Sequence, residues 1–192
     1  MDAALAAFLE RGFERTTLDD IIKRSGGSKA TLYALFADKE DLFFAILRRA
    51  AVGIGGDQPA PPLPRTADEL HALLISIARR IVEYVLRDDI IGLYRLTVEA
   101  ALRSPRIGAL YYEGGPLKAQ GDFAALLAGL DKAGLLAIDD PELAARFFFG
   151  MLLDKQHLAM SLGQAKAPPK KERERLVAGA VRVFLAAYSR RL

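Results

Sequence analysis

Two lysines stand where a cation is poorly placed. Lys29 follows Gly26-Gly27-Ser28 and Lys39 follows Ala37-Asp38, so each falls at the first position of an expected helix, where the partial positive charge of the free amides opposes it. An anion would complete both arrangements, because a helix start and a lysine side chain converge on a phosphate oxygen. Between them, Leu32 and Phe36 supply the inward face of a short helix that leaves Lys29, Ala30, Tyr33 and Ala34 outside. That is the geometry of a recognition helix in the major groove of duplex DNA. For either lysine alone, an ordinary solvated surface charge is the alternative.

The elements that must hold this helix are marked by their ends. Leu5, Phe8 and Leu9 share one face of a first helix, which Gly12-Phe13 closes as a left-handed C-cap with its hydrophobic contact. Thr17-Leu18-Asp19-Asp20 is a capping box for a second helix running to Ser25, with Thr17 able to cap, Asp20 able to reach back and apolar Ile21 and Ile22 following. Gly26-Gly27 makes a tight turn, and Ser28 is placed to cap the third helix.

Bulk properties limit the rest. With 192 residues, 52% of them hydrophobic, the chain can bury a sizeable core. The absence of cysteine excludes disulfides, thiolate metal sites and a cysteine nucleophile. Net charge is +3, and the first fifty residues set eight Lys/Arg against eight Asp/Glu, so any case for DNA rests on placement rather than on a basic surface. No apolar run approaches the roughly 20 residues that span a bilayer, and the start lacks a basic leader. The reading is a soluble cytoplasmic protein that makes no use of a membrane.

Helix formers dominate, no stretch alternates in the manner of a strand, and the expected class is all-α. The run Gly53 to Pro64 is read as a break that cannot continue a helix. Two units follow: 1–48, a three-helix DNA-binding domain with a helix-turn-helix, and 49–192, a larger helical ligand-binding and dimerisation domain. Helices are expected at Ala67 to Arg87, Asp89 to Arg103, Arg106 to Lys132 with breaks at Gly114-Gly115-Pro116, Pro141 to Leu162, and Lys170 to Arg191.

The last two of these carry Leu176, Val177, Ala180, Val183, Phe184 and Ala187 at helical spacing, with small residues at Gly150, Ala159 and Gly179 that permit close approach. They are the expected homodimer interface, an internal bundle core being the alternative. The middle helices offer an apolar lining with scattered polar groups: Tyr84, Tyr94 and Thr97, Glu99 if it is buried, Tyr111, Phe123, Phe147, Met151 and His157. Each has ordinary core or surface packing as its alternative. His71 and His157 lack metal-ligand spacing, and no phosphate loop or Ser/His/Asp grouping is present. We therefore expect no metal, no cofactor and no enzymatic activity.

Residues 3–47, and above all Gly12-Phe13, Thr17 to Ile21, Ser28 to Tyr33, Phe36 and Asp38 to Leu42, resemble the DNA-binding domain of the TetR family. The resemblance implies that Lys29 and Ala30 face base edges, that Thr17, Thr31, Tyr33 and Lys39 hold phosphates, and that Ser28 caps and touches the DNA backbone. Three features depart from the family pattern. Gly27 replaces a branched apolar residue, which loosens the turn by roughly 1 kcal/mol. Ala34 and Leu35 replace aromatic or polar residues, so base readout leans on Lys29 and on methyl contacts to thymine. The basic arm that many relatives place before helix one is missing, or the chain is truncated.

Further on, Leu93-Tyr94-Arg95-Leu96, Glu99-Ala100, Pro105-Arg106, Tyr111-Tyr112, Asp140 to Ala145 and Phe148-Phe149-Gly150 resemble, more loosely, a C-terminal subgroup of the family linked to efflux regulation. Together these imply a repressor that binds a palindromic double-stranded operator as a dimer, its half-sites about 34 Å apart. A small hydrophobic effector would release it by tilting helix four, Lys39 to Ala51. A full swing of such a switch needs about 5.5 kcal/mol of differential binding. A helical sensor or carrier of small molecules with weakened DNA binding is the competing reading.

Overall fold

Capping side chains decide where several helices begin. The computed structural model describes residues 1–55 and 62–190, and its helices are α1 (Asp2–Arg11), α2 (Leu18–Ser25), α3 (Lys29–Leu35), α4 (Lys39–Gly55), α5 (Ala67–Val85), α6 (Asp88–Ala101), α7 (Pro105–Tyr112), α8 (Lys118–Lys132), α9 (Pro141–Leu152), α10 (Lys155–Ser161) and α11 (Lys170–Tyr188). Thr17, Thr66, Asp140 and Asp154 each accept a backbone N–H at the start of α2, α5, α9 and α10, satisfying amides that have no partner within the helix. The class is all-α, and among the described residues the extended pairing is one isolated bridge between Leu136 and Ser189.

Three expectations are corrected. The break at Gly53 begins later, because α4 runs on through Gly53, Ile54 and Gly55; residues 56–61 of that run lie outside the described residues. The helix expected from Pro141 to Leu162 is two helices. Leu153 leaves helical geometry at ψ 50°, and Asp154 starts α10 by accepting the Gln156 N–H at 2.8 Å. The last helix stops at Tyr188, after which Ala137 donates to the Tyr188 carbonyl and Arg190 donates to that of Leu136. In the long segment from α7 to α8 the Gly-Gly-Pro interruption is a π-helical turn, Glu113–Leu117, inside an otherwise continuous helical run. The missing N–H of Pro116 suits that wider turn.

Two apolar cores form. In one, α5, α8, α9 and α11 surround Phe123, Phe148 and Phe184, with ring centroids 4.6 and 5.1 Å apart along that series. In the other, Phe8, Phe13 and Phe43 meet at 5.0–5.5 Å, and Leu93, Leu96, Ala100 and Ile107 of α6 and α7 complete the cluster. The N-terminal helices thus share their core with the middle of the chain, and α4 belongs to both sides of the expected boundary at residue 48.

Candidate DNA interface and effector cavity

The turn into α3 begins at α2. Thr17 accepts the Asp20 N–H at 3.2 Å while the Asp20 carboxylate accepts the Thr17 N–H at 3.1 Å, so the capping box is complete. Gly26 ends α2 in the left-handed region at φ 67°, ψ 11°, where a side chain would be strained. Gly12 also has positive φ, but its ψ of 160° takes the chain out of the left-handed helical well expected there. Ser28 occupies the cap position of α3 in extended conformation, yet its side chain makes no capping bond. Ser25 does the local work instead, accepting the Gly27 N–H at 3.2 Å.

The result is a seven-residue helix with none of its side chains fully buried. Leu32 and Phe36 pack half-buried on the N-terminal core, while Ser28, Lys29, Ala30, Thr31 and Tyr33 are exposed, along with Ala34 and, at 69%, Leu35. The face expected to meet DNA is therefore outside. Thr17 is also exposed, although its hydroxyl is engaged with the Asp20 carboxylate at 2.7 Å.

The two lysines are satisfied in ways their helix positions did not reveal. Lys29 meets the Asp19 carboxylate at 2.9 Å and sits 5.6 Å from the Tyr33 ring centroid; hydrogen bonding and attraction to Asp19 push its pKa up. Lys39 turns back to donate to the carbonyls of Phe13 and Glu14 at 3.0 and 2.9 Å, with its ammonium 4.6 Å from the Phe13 ring. The cost assigned to both positions is thus offset inside the molecule, and Lys39 stitches the start of α4 to the turn between α1 and α2. Arg11 pairs with Asp20, Arg24 with Glu10 and Arg49 with Asp2. Contact with a phosphate is an exchange of partners at such sites.

A cavity of about 40 Å³ lies behind the N-terminal unit. Leu47, Ala50 and Ala51 of α4 form one wall, Tyr84 and Val85 of α5 another, and Ile90, Leu93 and Tyr94 of α6 a third. Tyr111, the π turn at Gly115-Pro116, and His157 of α10 close it. Tyr94 lies 6.1 Å from Tyr111 and 5.4 Å from His157, centroid to centroid. Burial pushes the Tyr111 phenol up to about 12 and holds the His157 imidazole below its usual value. The lining is uncharged near neutrality.

Of the residues expected to line a pocket, Tyr84, Tyr94, Tyr111 and His157 come together here, and five stand elsewhere. Thr97 is buried, but its hydroxyl donates to Leu93 within α6 at 2.8 Å. Glu99 is exposed, which removes the reason for interest in it. Phe123 lies in the C-terminal core, Met151 packs against that core, and Phe147 is 53% exposed. The α4 wall was missed, since Leu47, Ala50 and Ala51 carry no signal beyond core spacing. The π turn was visible as Gly114-Gly115-Pro116 inside a helical run.

The model of bacterial regulatory proteins of the tetR family matches residues 1–46, and the model of the AefR-like transcriptional repressor C-terminal domain matches residues 72–190. The chain belongs to the TetR family of transcriptional regulators. It is similar to the regulator RutR of Escherichia coli, 29% identical over 181 residues that cover 87% of this chain and 75% of RutR. The repressor ComR of the same species is 43% identical over 49 residues, 26% of this chain, and that match spans 23% of ComR's length. A Mesorhizobium loti protein solved as a TetR-family regulator superposes with a TM-score of 0.85 at 29% identity, covering 98% of this chain and 94% of that one. SmeT, the repressor of the Stenotrophomonas maltophilia multidrug efflux pump SmeDEF, gives 0.66 at 26% identity, covering 98% and 88%. These relatives are regulators, not enzymes.

In the TetR family the N-terminal helix-turn-helix binds DNA, and α2 and α3 are that element here. Among the described residues no helix is long and apolar enough to cross a membrane.

Proposed function

We propose that this TetR-family chain is a repressor that grips a palindromic operator as a homodimer and lets go when a small, uncharged, largely apolar molecule occupies the cavity. The observation that carries this reading is the position of α4. Its first turns bury Leu42, Phe43 and Leu47 in the core that supports α3, and Leu47, Ala50 and Ala51 also wall the cavity. A change at the cavity therefore bears on the helix that aims the DNA-facing surface. Residues 1–48 read DNA in this proposal, residues 49–192 sense and dimerise, and α4 joins the two. Lys29 and Ala30 meet base edges, Thr17, Ser28, Thr31 and Tyr33 meet the backbone, and Lys39 joins them by surrendering a carbonyl.

Two observations support a dimer through α9 and α11. Leu143 and Phe147 on α9 and Val183 on α11 are exposed apolar side chains, and a Cβ at Gly150 or Gly179 would meet nothing within 4 Å. The small residues thus open outward rather than easing packing inside the chain. The face expected in α11 divides, with Val177, Ala180 and Phe184 buried in the chain's own core and Val183 and Ala187 left outside. Control of an efflux gene from the cytoplasm is the regulon we propose, on the likeness to SmeT.

Sequencing the fragments that the protein retains from its own genome tests the reading. A two-fold symmetric sequence with half-site centres one helical turn apart is expected; retention without sequence preference would overturn it. The ion pairing of Lys29 with Asp19 favours a second reading, a small-molecule carrier with weak DNA affinity, which the same selection would show as an empty pool.

A further inference from the structure

Tyr84 stands between two spaces. On one side is the small cavity, and on the other an open groove of about 400 Å³ walled by Gly53, Ser76, Arg80 and Arg87. Its ring lines both, and the seat of that ring is built from three sides. The hydroxyl donates to the Ala50 carbonyl of α4. The Arg87 guanidinium lies 5.7 Å from the ring centroid, held there by Asp89 through bonds of 2.9 and 2.6 Å. A Cβ at Gly53 would fall 2.3 Å from Cε2 and 2.7 Å from Cζ of the ring, so the phenol fills the space a side chain on α4 would need.

At about 40 Å³ the cavity is far smaller than the few hundred Å³ of an ordinary ligand site, so an occupant has to displace something. Leu47 and Leu93 are anchored in the core beneath α3, 3% and 2% exposed. Tyr84 is half-buried with the open groove beside it. We propose that Tyr84 is both the gate of the cavity and the latch between its occupancy and α4: an uncharged ligand enters by taking the place of the phenol ring, and the displaced hydroxyl gives up the Ala50 carbonyl. This rests on the reading of the cavity as the effector site. The lining selects the class of ligand. An ion would lose its hydration with no counter-charge to meet it, whereas a neutral aromatic molecule bearing a hydroxyl or carbonyl can hydrogen-bond to Tyr94, Tyr111 or His157.

The test uses the full chain, the neutral dye Nile red, and hydrogen exchange of the backbone amides of residues 48–55. Tyr84→Phe keeps the ring and loses the latch. Gly53→Ala pushes the ring from its seat at a position where the α4 backbone is helical and alanine is the better helix former. Tyr84→Ala removes the ring altogether. Dye affinity is expected to rise roughly fivefold in Tyr84→Phe, the worth of one neutral hydrogen bond, and at least as much in Gly53→Ala. In the unaltered protein the dye is expected to speed exchange across residues 48–55 several-fold; in Tyr84→Ala it should bind and leave that exchange unchanged. Equal affinities across the unaltered protein, Tyr84→Phe and Gly53→Ala, including no binding to any, would overturn the gate. An equal dye-induced change in Tyr84→Ala and the unaltered protein would overturn the latch. None of these measurements uses DNA, so a protein that retained no operator would remove the regulator reading and leave this inference standing.

Discussion

The DNA-facing surface of α3 and the cavity behind α4 handle charge in opposite ways. At α2–α3 the cations are exposed and held by carboxylates, Lys29 by Asp19 and Arg24 by Glu10. In the cavity burial disfavours the charged forms of the Tyr84 and Tyr111 phenols and of the His157 imidazole. In the proposed account, binding at the first site exchanges ion pairs and should depend on salt. Binding at the second would displace packed groups and should be almost indifferent to salt. The two ligands would then draw on two kinds of free energy, joined through α4, whose Leu47 belongs both to the core under α3 and to the cavity wall.

The comparison breaks most severely where the two regions share a residue. Leu93 lines the cavity and is also buried in the core that carries α3. Leu93→Ala is expected to lower stability by about 2–5 kcal/mol and to alter both sites together, weakening DNA binding while enlarging the cavity, measured by thermal unfolding with DNA and dye titrations alongside. A change at the cavity alone would show that the two cores are independent.

Lys39→Ala comes next. Because Lys39 donates to the Phe13 and Glu14 carbonyls, the variant should lose about 1–2 kcal/mol of stability from charged hydrogen bonds as well as DNA affinity. The salt dependence of binding should flatten by about one phosphate contact. Unchanged stability would mean those bonds contribute nothing in solution.

Asp19→Asn is a smaller change in the opposite direction. It frees Lys29 and removes a carboxylate beside the proposed phosphate path, so DNA binding should tighten roughly two- to fivefold, the scale of an exposed ion pair. Stability should hardly move. Weaker DNA binding would instead make Asp19 a positioning residue for the Lys29 ammonium.

The smallest expected effect separates the sites by pH. His157 is kept neutral by burial, so its folded pKa is below its unfolded value near 6.5. The unfolded chain then binds more protons, and the contribution of His157 to stability is complete above about pH 6.5 and lost as pH falls through and below it. Half-burial keeps the effect small. Lys29 is shifted upward from a value already above 10, so its ion pair is untouched in that window. A His157→Gln variant should flatten the acid limb of stability below about pH 6.5.

The same contrast explains what the sequence could disclose. The helix-turn-helix was legible because its signals are local. Thr17 and Asp20 at capping spacing, Gly26 at the turn, and a short helix with two inward side chains define an outside face without knowledge of any other element. Even there, the partners of Lys29 and Lys39 were hidden, since Asp19 and the Phe13 carbonyl reach them only through tertiary structure. The cavity was half legible. Tyr84, Tyr94, Tyr111 and His157 stand out as polar-tipped groups in apolar helices, but Phe123, Phe147 and Met151 have the same helical spacing and face other ways. Periodicity says that a residue is buried, not which of two neighbouring cores it enters. Asp154 caps α10 inside the span expected as one helix from Pro141 to Leu162, where the continuous apolar pattern hid the break.

The most direct test of the regulator reading is the operator affinity of Lys29→Ala on the sequence recovered from genomic selection. A loss of about 1–3 kcal/mol is expected, with relaxed preference at one base position per half-site and unchanged thermal stability. Operator affinity and base preference equal to those of the unaltered protein would contradict the assignment of α3 as the helix that reads DNA.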